Sequence, residues 1–239
     1  MKKIFKIISL LTFTFYSTFV YSNLARAVEA SSYINTIYAV NLCGPGSSLT
    51  SCLGPVFLGS TTAGTTFDLG SVTAGASAGN MGNLSAAVSG TTYSFAQVIL
   101  SRAFTVTGEA GAAGGSNRCR TETDNEFDVS SPSVVLGAND TAAAESQVIG
   151  IPSGTIPSNM IGTTSLTGLD GADNSSGNGN IADAEPRVKF RFALTAPITI
   201  VQGKLPTFTI AFDLSDALTF GGSCAATPSA PSVTASFSN

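Results

Sequence analysis

The segment from Leu169 to Asp183 has the residue types of a cation-binding loop. It places side-chain oxygens among glycines, and its candidate ligands are Asp170, Asp173, Asn174 and Asp183. Calcium takes about six to eight oxygen ligands and accepts a flexible loop. The spacing differs from the EF-hand pattern, however, and Asp and Asn in glycine-rich turns also occur without an ion. The hypothesis is a calcium site, set against an ordinary polar loop; no other cofactor is predicted, and none is expected to be required.

A second acidic segment spaces four carboxylates two residues apart: Glu122, Asp124, Glu126 and Asp128. In an extended strand these side chains would share one face and repel one another. Arg118 and Arg120 continue the same alternation and would screen one end. A solvated loop is the favoured interpretation.

The chain contains no histidine, which excludes Ser-His-Asp and Cys-His nucleophile systems and histidine-ligated metals. Beyond the leader, the lysines are Lys189 and Lys204, and neither lies in a Ser-x-x-Lys setting. A pair of carboxylates can still hydrolyse glycosides, so a carboxylate-based hydrolase is the remaining enzyme hypothesis. The sequence favours a protein that is not an enzyme.

The four cysteines form an even set, which in an exported chain predicts two disulfides. Cys43 and Cys52 flank a turn-rich Gly-Pro-Gly-Ser-Ser segment that can fold back on itself. We therefore predict Cys43–Cys52 as a local clasp and Cys119–Cys224 as a long-range tie. The spacings match neither a Cys-x-x-Cys redox pair nor the two close pairs of a four-cysteine zinc site.

The elements that would position these residues are strands. Gly, Ser, Thr and Ala dominate the composition, which disfavours long helices and suits strands joined by turns. Alternating apolar residues predict strands over 32–42, 55–58, 93–106 (one long strand or a bent pair), 188–194, 198–201, 208–214 and 233–237. In the first strand we expect Ile34, Thr36, Tyr38, Val40 and Leu42 on one side.

Short strands with Gly- and Pro-containing connections predict an all-β fold, an antiparallel β-sandwich of Ig-like or prealbumin-like type with long Gly/Ser/Thr-rich loops. A brief helix is expected at 141–147. The basic cluster Arg187, Lys189 and Arg191 recurs every second residue, and we interpret it as a solvated strand face. Residues 28–239 are predicted to form a single disulfide-tied domain; a division near Pro132 is the alternative.

Residues 1–27 have the layout of a secretory signal peptide. A lysine-rich start precedes an apolar stretch, and Ala25 and Ala27 provide small residues before the predicted cleavage point; cleavage after Ala30 is the alternative. An uncleaved anchor is disfavoured because hydroxyl residues interrupt the apolar run. The protein is therefore expected to be periplasmic, at the cell surface or extracellular, in a bacterium, without a membrane span after cleavage.

Removal of the leader would leave 7 basic and 15 acidic residues, a net charge of −8. Nucleic acid is thus not an expected partner, because binding to it requires a basic face. The leading hypothesis is a structural or adhesive envelope protein with a protein or glycan partner or with self-association. A sharper version is a fimbrial subunit that exchanges the terminal strands 33–42 and 233–237. A calcium-dependent glycan- or ligand-binding module is the alternative.

Overall fold

The computed structural model describes residues 26–70, 84–111, 118–166, 177–203, 207–229 and 232–238. Within these ranges the chain is all-β and contains two short 3-10 turns, Leu84–Ala86 and Gly222–Cys224. The strands are β1 (Arg26–Val28), β2 (Ser32–Cys43), β3 (Val56–Asp68), β4 (Thr92–Ser101), β5 (Ala103–Thr107), β6 (Glu109–Ala110), β7 (Cys119–Arg120), β8 (Val135–Leu136), β9 (Gln147–Gly150), β10 (Gly154–Thr155), β11 (Met160–Thr163), β12 (Asn180–Ile181), β13 (Arg187–Thr199), β14 (Thr207–Asp213), β15 (Leu218–Phe220), β16 (Ala225–Pro228) and β17 (Ser232–Ser238).

The largest sheet is antiparallel and is built around β2. Its order is β11-β13-β4-β2, and β2 continues onto β5 and then β9. On its other edge β2 is hydrogen-bonded to β3 from Ile34 to Leu42. Strand β2 therefore has neighbours on both sides within the chain, and the exchange of the terminal strands 33–42 and 233–237 stays a prediction.

An irregularity in β2 changes which residues face the core. The register with β4 and with β3 shifts between Ile37 and Ala39, so Tyr38 is the extra residue of a bulge. Before the bulge the buried positions are Tyr33, Asn35 and Ile37, whereas after it Val40 and Leu42 take that face. The predicted single face beginning at Ile34 is thus wrong for the first half of the strand.

Strand β3 bulges at the same level. Ile37 is opposite Thr65 and Ala39 is opposite Ser60, so the four residues 61–64 are looped out. Gly64 lies in this loop with a φ of +74°, in the left-handed region that favours glycine, and a Cβ there would collide with Thr36. A second irregularity lies nearer the start of β3: Val40 is opposite Gly59 and Asn41 is opposite Phe57, so Leu58 is an extra residue on β3.

Most predicted strands are present, with two corrections. The segment 93–106 is a bent pair, β4 and β5, broken at Arg102. The predicted strands 188–194 and 198–201 are one strand, β13, which passes Pro197 with a register shift between Ala193 and Ile198. The helix expected at 141–147 is wrong, since 141–146 is irregular and Gln147 begins β9.

The smaller antiparallel sheets are β1-β15-β16-β8, β14-β17, β10-β12 and β6-β7. One hydrophobic cluster joins residues of the large sheet, such as Phe190, with Leu218 of β15 and Ala235 of β17. Both predicted disulfides, Cys43–Cys52 and Cys119–Cys224, are confirmed. Among the described residues, no helix has the length and apolar character needed to cross a bilayer.

Candidate functional site

The local disulfide closes a compact loop, residues 43–54, which we call the clasp. The amide of Gly44 donates to the carbonyl of Leu53 at 2.7 Å, and that of Leu53 donates to Ser47 Oγ at 2.9 Å. Both cysteines are almost completely buried. The Gly-Pro-Gly-Ser-Ser turn therefore folds back as its sequence predicts, and Ser47 supplies the side-chain hydrogen bonds that hold it.

Beneath the clasp lies a row of buried polar side chains on three adjacent strands. Asn41 of β2 is opposite Gln97 of β4, and Gln97 is opposite Arg191 of β13. All three are at most 1% exposed. The Arg191 Nε atom donates to Gln97 Oε1 at 2.9 Å, and neither polar atom of the Asn41 amide has a hydrogen-bond partner among the described residues.

The clasp supplies acceptors to this row. Arg191 Nη1 donates to the Thr50 carbonyl at 3.1 Å and to Asn178 Oδ1 at 2.7 Å. The Asn178 amide in turn donates to the same Thr50 carbonyl at 2.8 Å. A buried guanidinium must have its donors satisfied, so the disulfide-closed loop and the residues before β13 together allow Arg191 to lie inside the protein.

This arrangement corrects the interpretation of the basic cluster as a solvated face. Lys189 and Arg191 are at most 1% exposed. Arg187 is half-buried; its guanidinium lies 4.5 Å from the centre of the Tyr38 ring and donates to the Thr164 carbonyl. The alternation of β13 was correctly identified, but the face that it places away from Phe190 is covered by other parts of the chain.

Exposed apolar side chains lie around the clasp. Leu49 and Leu53 are 44% and 47% exposed. Phe57 of β3 is 37% exposed and is opposite Asn41, which places it on the same face of the sheet. We call these three residues the clasp surface.

The clasp surface adjoins the outer edge of the large sheet. Among the described strands β3 pairs with β2 alone, and from Val56 to Phe67 it carries no charged residue and no proline. Natural edge strands are usually protected by charge, proline or bulges, because free backbone groups pair with other strands. Of these devices β3 has two bulges, at 61–64 and at Leu58, and has neither charge nor proline from Val56 to Phe67.

Three of the four predicted calcium ligands, Asp170, Asp173 and Asn174, lie outside the described residues. Asp183 is described, and its carboxylate accepts a hydrogen bond from the Ser153 hydroxyl. Among the described residues there is no group of three or more acidic or cysteine side chains arranged to hold a metal ion. The calcium site stays a prediction.

Asp183 belongs to a network around a buried arginine. Arg102 is fully buried and donates to Ser153 Oγ at 2.7 Å and to the Ala182 carbonyl at 2.8 Å. Burial lowers the pKa of Arg102, while the charges of Asp183 and Glu185 act in the opposite direction. A calcium ion at Asp183 would therefore lie near an existing cation. Sequence analysis missed Arg102, whose position at the break between β4 and β5 has no local signal.

The second acidic segment is a loop, as favoured from the sequence. Glu122 is half-buried and Asp124, Glu126 and Asp128 are exposed. Of the two arginines that precede it, Arg118 pairs with Glu109, and Arg120 pairs with Asp140 and lies 4.0 Å from Glu122, at the end of the segment that it was expected to screen. Cys119, which is bonded to Cys224, stands between these two arginines in the sequence.

Comparisons with known proteins found no matching family model, no significantly similar curated protein and no significantly similar solved structure.

Proposed function

We propose that this chain is an exported, non-enzymatic β-sandwich protein with a structural or adhesive role, which associates with further copies of itself. The observation that carries the proposal is the edge of β3, 13 residues long and uncharged from Val56 to Phe67. Strand addition at such an edge supplies main-chain hydrogen bonds, and neighbouring apolar side chains add contact area. Phe57 and the rest of the clasp surface are placed to provide that area.

A second copy is the partner that best fits this edge. Two antiparallel β3 strands related by a two-fold axis would present the same residues to each other, so that no separate complementary surface is needed. The net negative charge of the mature chain does not oppose this contact locally, because β3 lacks charged side chains from Val56 to Phe67. A single pairing gives a dimer; the edge of a second sheet would be needed for longer assemblies.

Burial at the start of the described chain bears on the choice of cleavage point. Ala30 is 3% exposed and belongs to the hydrophobic cluster. Cleavage after Ala27 would keep Ala30, whereas cleavage after Ala30 would remove it, so the core favours the earlier position, although that cut still removes Arg26 and Ala27 from β1. Two disulfides are compatible with an oxidising compartment.

The proposal is tested by measuring the mass of the mature chain by size exclusion with light scattering over a range of concentrations. We expect the wild type to form dimers or larger species and Phe57→Lys to shift it to the monomer, because a charge on the edge opposes strand pairing. Val201→Lys is the matched control, since Val201 is 53% exposed and lies outside the clasp surface. A wild type that is monomeric at every concentration would contradict self-association.

A further inference from the structure

A cavity of about 320 Å³ lies on the face of the large sheet opposite the clasp. It is lined by residues of β2, β4, β5, β11, β13 and β14, of the segment 151–157 and of the end of β16. The apolar wall includes Ile37, Leu100, Phe104, Met160, Phe190 and Phe212. This volume is at the lower end of the range for small-molecule sites, about 300–1,000 Å³.

One polar side chain in the wall is incompletely satisfied. Asn35 is 5% exposed, and its Nδ2 atom donates to the carbonyls of Ser101 and Ala103 at 3.2 and 3.1 Å. Because both partners are acceptors, the orientation of the amide is determined. Asn35 Oδ1 is buried and has no hydrogen-bond partner among the described residues. A buried acceptor without a donor costs about 1–3 kcal/mol, which a bound donor would recover.

The charge of the wall restricts the class of ligand. The lining residues include no Asp, Glu, Lys or Arg. Tyr33, which also lines the cavity, donates to the Ser229 carbonyl, and burial raises its pKa, so it remains neutral. A charged ligand would lose its hydration without gaining a counter-ion.

We propose that this cavity binds a neutral, apolar small molecule whose single hydroxyl donates to Asn35 Oδ1. The apolar wall provides the affinity, and Asn35 selects molecules that carry a donor. This site is separate from the β3 edge, so a negative ligand titration would leave the proposed self-association untouched, and a monomeric chain could still bind the ligand.

Three naphthalene compounds test the chemistry of the site on the mature chain by calorimetric titration. We expect saturable one-to-one binding of 1-naphthol. Binding of 1-methoxynaphthalene should be about five- to tenfold weaker, because this compound lacks the hydrogen-bond donor. The charged 1-naphthoate should not bind. Equal affinity for the first two would overturn the role of Asn35. Absence of saturable 1-naphthol binding would overturn the site itself. Comparing these two ligands tests the Oδ1 atom without a substitution of Asn35, whose Nδ2 hydrogen bonds to Ser101 and Ala103 support the fold.

A rim substitution tests the location. Thr155 lines the cavity but is exposed, so Thr155→Trp should fill the entrance with little effect on the fold. We expect it to weaken 1-naphthol binding at least about tenfold, a difference of about 1.4 kcal/mol. Thr234→Trp, at an exposed threonine of β17 outside the cavity, is the control. Both variants should retain the wild-type melting temperature within a few degrees. Unchanged 1-naphthol affinity in a folded Thr155→Trp variant would overturn the assignment.

Discussion

Adjacent residues of β13, Arg191 and Phe192, enter opposite faces of the large sheet, and both are almost completely buried at 1% and 5% exposure. Phe192 packs in the hydrophobic cluster, 5.6 Å from Phe190 between ring centres. Arg191 instead requires acceptors from Gln97, Thr50 and Asn178. The apolar face is stabilised by close packing, whereas the polar face requires hydrogen-bond acceptors that come from distant parts of the chain.

Substitutions on the two faces therefore destabilise the fold by different mechanisms. Truncation of an apolar side chain leaves a cavity, whose cost depends on how far the surroundings relax. Removal of a buried cation leaves acceptors that have lost their donor. The clasp should therefore affect the stability contributed by Arg191 but not that contributed by Phe192, because its Thr50 carbonyl accepts a hydrogen bond from Arg191.

The largest expected effects come from this pair of residues. We expect Phe192→Ala to lower the free energy of unfolding by about 4 kcal/mol and Arg191→Met to lower it by about 3 kcal/mol. Both values are measured by denaturant unfolding.

Opening the clasp separates the two mechanisms. In a Cys43→Ala/Cys52→Ala background, the loss caused by Arg191→Met should shrink, because the Thr50 carbonyl is no longer held in place, while the loss caused by Phe192→Ala should stay the same. Equal losses in both backgrounds for Arg191→Met would show that the clasp does not support the buried guanidinium.

A smaller effect of opposite sign is expected at the β2 end of the polar row. Asn41 is fully buried with an unsatisfied amide, so Asn41→Leu, of similar shape, should raise the free energy of unfolding by about 1 kcal/mol. Asn159→Leu is the control: its Nδ2 atom donates to the Arg191 carbonyl at 2.9 Å, and its loss should destabilise by about 1 kcal/mol. Destabilisation by Asn41→Leu would indicate that Asn41 has a structural partner.

The smallest effect concerns the ion pair between the buried Arg120 and the exposed Asp140. The side-chain hydrogen bond from Arg120 and the backbone amide of Ala142 lower the pKa of Asp140 to about 2. Its contribution to stability is therefore present above the unfolded pKa, near 4, and is lost as the pH falls from about 4 toward 2. Asp140→Asn should flatten the fall of melting temperature in that window, whereas Asp124→Asn, at an exposed residue of the acidic loop, should not. Parallel curves for wild type and Asp140→Asn would contradict this ion-pair contribution.

Local patterns in the sequence were sufficient for the all-β class, for most strands and for both disulfides. Alternating residues predicted β2, β13, β14 and β17 because side-chain direction in a strand depends on neighbouring residues alone. The turn-rich segment between Cys43 and Cys52 made their pairing local, and the remaining two cysteines then had to pair with each other. The helix at 141–147 was wrong because tertiary pairing of Gln147 with Val106 overrode a weak local preference.

Residue types and spacing alone predict that β13 has two chemically different faces and that the clasp closes, and they exclude histidine chemistry. Only the folded chain shows that both faces are buried, that the bulge at Tyr38 turns Asn35 toward the core, and that a cavity forms beside it. Alternation is a property of neighbouring residues, whereas burial depends on which distant segments cover a face. For Arg191 those segments are Thr50 and Asn178, 141 and 13 residues away along the chain.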